Sequence, residues 1–374
     1  MSIDADTLLL GPRGRRASLI VAARSSGDEA ISSTLLGAVM ELGGALDPAM
    51  GHGRVHLTLM AQGGDGDEDE DDHEPFAPIT TPDDLGAALL TAPIHDHLID
   101  PLAVLDEVVG TARYWQEPEG EDFLTALPAL RPALLRSARV LLAHPDAQWW
   151  DEPVDPADQW AVDFDRDEPL QTRAGTPDVG GFRTAAVAEE ERARLDRPSD
   201  VTANYSGTWW STPLVWSASF TTTRSIGDHG PAGLRLVEDS MGWEAAHARR
   251  VRIRPSARVY ELRRAEDWTE LCRRYPLDVT ASRRHDWYRT TGRDGAWVIP
   301  DWTAVAEQYD GVHLTAAAYL QAAGRSLPVD EERASVIGGW DPDQTWWFRA
   351  DVLRFSDDAG VAWRRGGAPD WRKV

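Results

Sequence analysis

The chain has 374 residues, of which 42% are hydrophobic and 27% charged, an ordinary globular composition with enough length for two or three domains of roughly 150 residues each. Its net charge of -24 and pI near 4.7 argue against broad, nonspecific affinity for nucleic acid or anionic membranes. No apolar run approaches the about 18 residues of a transmembrane helix. The single cysteine, Cys272, excludes an internal disulfide and a thiolate zinc cluster, and reads as a buried thiol on a helix. The only lysine, Lys373, is next to last, which argues against a Schiff-base or P-loop lysine mechanism.

The opening MSIDADTLLLGPRGRR lacks the basic-then-apolar order of a signal peptide, so a cytoplasmic protein is expected. GPRG reads as a turn; its glycines could approach a phosphate, but no G-x-x-x-x-G-K follows. Residues 31–42 read as a helix ended by Gly43 and Gly44, and VHLTLM at 55–60 as a strand. The run GGDGDEDEDDHE at 63–74 lacks the EF-hand spacing and reads as a solvated, poorly ordered loop. From 82 to 144 apolar residues recur at spacings of three and four, giving helices, the first with Asp83 as candidate cap. His95, Asp96 and His97 mark a helix start more readily than a metal site.

Residues 146–200, rich in Pro, Asp and Glu, read as a linker zone holding one short helix near 184–195. They separate a mainly helical accessory domain (1–145) from a functional domain (201–356), with 357–374 as a tail. The second half holds 13 of the 17 tryptophans. It reads as strands interspersed with short helices: a hairpin at 252–262 turning at Pro255 and Ser256, a helix at 266–273, and the strand WVIP. After these come a helix capped by Asp301, the strand GVHLT, a helix closed by Gly324, and a final strand at 346–355. The fold class is therefore α+β, a helical N-terminal region followed by a mixed, largely antiparallel, tryptophan-rich sheet domain.

Four segments carry candidate chemistry. The charge-free stretch 205–223, YSGTWWSTPLVWSASFTTT, is either a core element or the wall of a pocket. In the second case Trp209 and Trp210 would stack on a base while Ser211 and Thr212 orient a ribose or amide. In SRRHDWYRTTG (282–292), Arg283, Arg284 and Arg289 suit phosphate or carboxylate, and His285 beside Asp286 suits acid–base work. The other reading of that segment is a charged surface loop. In YDGVHLT (309–315), alternation puts His313 and Thr315 on one face, to line a pocket or to sit satisfied in the core. In GGWDPDQTWWF, Asp341 and Asp343 read as turn residues rather than cation ligands. No G-x-S-x-G, H-E-x-x-H, strand-following G-x-G-x-x-G or kinase signature occurs.

At 209–213, 309–315 and 339–347 the chain resembles a little-described group of bacterial and phage proteins that share W-W-S-T-P, Y-D-x-V-H-L-T and G-W-D-x-D/E-x-T-x-W blocks. That resemblance spans about 207–348 and implies no settled activity. WWSTP followed by strands ending in ARVYEL is also similar to the middle portion of ADP-ribosyltransferases, whose fold adds an early arginine or histidine and a later acid near the nicotinamide ribose. No E-x-E or Q-x-E motif follows. This second resemblance implies an NAD- or nucleotide-using transferase, with NAD as substrate, His313, Asp310 and Glu261 as catalytic candidates, and Trp209–Thr212 with Arg283, Arg284, His285 and Arg289 as the binding set. The alternatives are a non-catalytic binding or interaction protein with a protein partner, and a phosphate-binding hydrolase built on the 283–289 arginines. An enzyme requires Ser211, His313 and those arginines to meet in one cleft.

Overall fold

Helices form in the first half because apolar residues recur with helical period, and four of these helices start behind side-chain caps from Asp4, Asp28, Thr81 and Asp100. The computed structural model describes residues 3–49, 76–164, 179–213, 220–240, 242–358, 360–366 and 371–374. The expected strand at 55–60 and the acidic run 63–74 lie outside them. The helices are α1 (Ala5–Leu8), α2 (Pro12–Arg24), α3 (Glu29–Leu46), α4 (Pro82–Thr91), α5 (Pro101–Gly110), α6 (Gly120–Ala126) and α7 (Arg131–Ala143). Helix α2 is central, packing on α5, α6 and α7, and buries Ala17, Leu19 and Val21. GPRG is the start of α2 rather than a free turn: Gly11 stands at the N-cap, and Pro12 occupies the first turn, where its missing N–H is harmless. Helix α4 is capped by Thr81, not Asp83, in a reciprocal pair with Asp84.

Gly43 and Gly44 do not end α3 but lie inside it. Gly43 meets Gly120 at the start of α6, where an added Cβ on Gly120 would sit 1.8 Å from the Gly43 carbonyl oxygen. Gly120→Ala is therefore expected to lower stability by about 1–3 kcal/mol through overpacking. By contrast Gly37→Ala, on the exposed side of α3 with open space around it, should raise stability by about 0.5–1 kcal/mol. Thermal melts of the two variants check the contrast; equal effects would mean that the α3–α6 approach is not close.

In chain order the remaining elements are β1 (Gln159–Phe164), α8 (Val179–Asp196), β2 (Phe220–Thr222), β3 (Ala245–Ile253), β4 (Val259–Leu262), α9 (Ala265–Arg274) and β5 (Pro276–Asp278). Then follow α10 (Thr280–Thr291), β6 (Ala296–Pro300), α11 (Trp302–Gln308), β7 (Gly311–Leu314), α12 (Ala316–Ala322), β8 (Leu327–Pro328) and β9 (Arg333–Ser335). The last are β10 (Gln344–Trp347), β11 (Leu353–Phe355), β12 (Val361–Arg365) and β13 (Trp371–Lys373). Three sheets result: β3 pairs antiparallel with β1, β11 and β12, and β13 adds to β12; a second sheet runs β2-β10-β7-β4; a third runs β5-β6-β9-β8. Among the described strands, β4 with β7 and β6 with β9 pair in parallel and the other pairs are antiparallel, so the α+β architecture with a helical first half stands.

Several expectations are corrected. Residues 252–262 are not a hairpin: β3 and β4 belong to different sheets, and the turn at Pro255–Ser256 joins them. The SRRHDWYRTT segment is helix α10, ended by Gly292 at φ 71°, not a loop. The 357–374 tail supplies β12 and β13, and the final strand breaks at a 3-10 turn (Ala350–Val352) into β10 and β11. The 146–200 zone contains β1 and α8 and is no mere linker. One apolar core runs from Ala5 and Leu8 through α8 to Trp346 and Phe348, so that zone does not divide it. The tryptophans explain themselves there: Trp268, Trp302 and Trp340 are fully buried, with ring centroids 5.8 and 6.0 Å apart.

Candidate functional site

Parallel pairing of β4 with β7 puts Glu261 opposite His313. His313 Nδ1 lies 2.6 Å from Glu261 Oε2, and Nε2 lies 3.4 Å from Asp343 Oδ1. Asp343, held at φ 59°, accepts 2.6 and 2.9 Å bonds from the Arg224 Nε and backbone N–H, and Arg224 continues to Glu152 at 2.6 Å. Burial alone would lower the His313 pKa, but hydrogen bonds to Asp343 and Glu261 and their charges raise it to about 9. With 1% of its side chain exposed and both ring nitrogens facing carboxylates, His313 is fixed in the core in surroundings that favour the imidazolium. Glu261 alone of the three reaches a cleft, of about 590 Å³, where Arg263, Arg264 and Gln321 also stand. Asp310 is apart from this pair: it accepts from the Arg258 N–H at 2.8 Å and closes the turn into β7.

The expected binding set is committed elsewhere. Ser211 exchanges hydrogen bonds with Gly338, its backbone N–H donating at 2.9 Å and its Oγ accepting at 3.1 Å, and Thr212 is buried beside it. Trp209 stacks on Tyr114 with centroids 5.6 Å apart, and Trp210 meets Trp209 edge-on. On α10, Arg283 pairs with Glu189 of α8 at 3.1 Å and Arg284 donates to the Arg197 carbonyl at 3.1 Å. Arg289 donates to the carbonyls of Trp115 (2.6 Å) and Tyr205. His285 lies against Tyr205, its pKa lowered by burial and by Arg284, while Asp286 accepts from Ser206 and Gly207. Helix α10 thus clasps the 197–209 segment. Ser211, His313 and these arginines point at separate partners, not into one cleft.

A different set of arginines does converge. A cavity of about 250 Å³ lies between the start of α2, the 111–126 segment, the end of α10 and residues 324–326. Next to it, a Cβ on Gly11 would stand 2.3 Å from the Leu320 carbonyl oxygen, so only glycine lets α2 begin against the end of α12. Arg13 donates to Thr111 Oγ1 at 2.6 Å and faces Asp122 at 3.3 Å, but Asp122 is shared with Arg16 at 2.8 Å. Arg15 makes long bonds of 3.2 and 3.3 Å to the Leu10 and Leu9 carbonyls, and Arg325 one of 3.3 Å to the Gln321 carbonyl. Among the described residues neither has a carboxylate within ion-pair distance, and the buried Arg15 Nε has no hydrogen-bond partner. Burial, followed by repulsion from Arg13 and Arg325 against the pull of Asp122, lowers the Arg15 pKa; burial does the same to Arg325.

Behind this cavity, the Tyr114 hydroxyl donates to Glu238, which also accepts from the Trp340 N–H at 3.1 Å. The Glu238 N–H in turn donates to Asp341 at 2.8 Å. Burial raises the Glu238 and Asp341 carboxyls to about 8 and about 7. Among the described residues no group of three or more His, Cys, Asp or Glu is placed to hold a metal ion, and no helix is long and apolar enough to cross a membrane. Sequence reasoning missed Arg13, Arg15 and Arg325; the only local signal was a glycine-marked helix start followed at once by three arginines within GPRGRR. Comparison with protein-family models, curated proteins and solved structures finds no match to this chain.

Proposed function

We propose that this protein binds a small anionic molecule in the cavity at the start of α2. One observation carries the reading: Arg15 and Arg325 are half-buried beside Arg13, repel one another, and lack carboxylate partners among the described residues. Gathering such cations with only the shared Asp122 and the more distant Glu266 as counter-charge is costly, and an anion held in guanidinium forks would relieve it. Ordinary ligand cavities run to about 300–1,000 Å³, so this one suits a small molecule or the phosphate end of a nucleotide. Calorimetry with phosphate, sulfate, citrate, AMP and NAD tests it. Binding by at least one anion is expected, weakened about tenfold or more in Arg15→Ala and Arg325→Ala. Absence of binding by all five, with folded protein, overturns the reading.

A second reading, the NAD-using transferase, is favoured by Glu261, which is fixed by His313 and opens on the larger cleft. NAD turnover that disappears in Glu261→Gln, while the Arg15→Ala variant keeps it, would favour that site over the arginine cavity.

A further inference from the structure

Resting on the anion-binding reading, we infer that the ligand of the α2 cavity carries a phosphate monoester and binds as its dianion. The charge count points there. Asp122 is divided between Arg13 and Arg16, Glu119 is taken by Arg16 at 2.7 Å, and neither lies within ion-pair distance of Arg15 or Arg325; the other lining charges, Arg113 and Glu117, are of opposite sign and leave the excess unchanged. A monocarboxylate would offset one of those two cations and leave the other buried in excess. A dianion matches both.

The directions of approach agree. Arg13 and Arg15 come from the start of α2, Arg325 from the turn after α12, and Ser326 stands beside it. Cations arriving from separate elements suit the three oxygens of a tetrahedral group, whereas a planar carboxylate presents only two. The rest of the wall mixes apolar Leu10, Pro12, Phe123 and Ala126 with polar Gln116 and Thr290, and the volume leaves room for a compact, partly polar organic group rather than a second phosphate. A sugar-sized phosphate ester fits this description, and a dinucleotide exceeds it.

Calorimetry on the full chain, with phenyl phosphate and glycerol 3-phosphate against phenyl sulfate and malonate at pH 7.5 and 5.5, tests the inference. A phosphate ester passes from dianion to monoanion near pH 6, while a sulfate ester stays monoanionic throughout. The phosphate ester is expected to bind about tenfold or more tighter than its sulfate counterpart at pH 7.5, and to lose most of that advantage at pH 5.5. The charged and titratable groups facing the site are Arg13, Arg15, Arg113, Arg325, Asp122 and Glu119, joined by Glu117 and Tyr114, with Glu238 behind Tyr114. The sulfate ester reports any titration of theirs. Arg24→Ala, which alters only an exposed pair with Glu107 on the far end of α2, should change nothing. Equal binding of sulfate and phosphate esters at pH 7.5, or preference for malonate, overturns the inference and leaves anion binding standing. No binding of any of the four, while one of the five anions above still binds, overturns the inference alone; no binding of any of the nine removes both.

Discussion

Replacing Asp343 with alanine is expected to destabilise the protein by about 3–5 kcal/mol, the ordinary cost of stranding a buried charge. Asp343 is 2% exposed and is the shared acceptor of His313 and Arg224. Without it, the raised pKa of His313 loses its strongest support, the Asp343 hydrogen bond that counters burial. Arg224 keeps Glu152 and two carbonyls, and His313 keeps Glu261, but those carboxylates are 58% and 23% exposed, so the one fully buried counter-charge of both cations is lost. The double variant with His313→Ala should cost less than the sum of the single changes, because the second removes the charge that the first strands. For contrast, the Arg24–Glu107 pair is as short, at 2.5 Å, yet both side chains are nearly half exposed, and its removal should cost under about 1 kcal/mol. Urea unfolding followed by circular dichroism measures all three. A loss below about 1 kcal/mol for Asp343→Ala would mean that His313 sits neutral in the core.

The parts of this fold that are legible in sequence are those decided locally. The helices of 82–144, Asp301 as cap of α11, the strand at 311–314 and the buried Cys272 each follow from period, capping or burial tendency. The parts that depend on distant partners are not. The alternation of 252–262 suits a hairpin, but β3 finds β1 and β11 while β4 finds β7, and nothing within those residues encodes that choice. SRRHDWYRTT carries cations and rings on all sides, which fits a phosphate loop as well as a helix. Its identity as a clasp is set by Glu189 and the carbonyls of 115, 197 and 205. Asp343 is legible as a turn residue, and its positive φ agrees, yet its carboxylate acts through residues 30 and 119 positions away. The arginine cavity joins residues about three hundred positions apart, from Arg13 to Arg325, so no local pattern announces it.

Stability is expected to fall as pH rises from about 5 to 9, and by several kcal/mol, since each pKa unit is worth about 1.4 kcal/mol. Burial raises Glu238 from 4.5 to about 8 and Asp341 from 3.8 to about 7. Their protonated forms are thus favoured by the fold. That contribution is complete below the unfolded values and is lost as pH climbs through 7 and 8. His313, raised from 6.5 to about 9, adds a term of the same sign, complete below 6.5 and lost on approach to 9. Asp343 and Asp122 are held below the usual carboxylate range by their cation partners against burial, so their contribution is lost on the acid side instead. The optimum should therefore lie near pH 5. Glu238 and Asp341 repel one another, so the two titrate as a pair and their terms do not simply add. Glu238→Gln separates this pair from His313: an amide carbonyl can still accept from the Trp340 N–H while its NH₂ donates to the Tyr114 oxygen. The variant should match the wild type at pH 5 and keep more of its stability at pH 8, leaving the slope due to Asp341 and His313. Denaturant unfolding at pH 5, 7 and 9 decides the matter. A wild-type stability that is flat or rising over this range would show that Glu238 and Asp341 are solvated well enough to ionise freely.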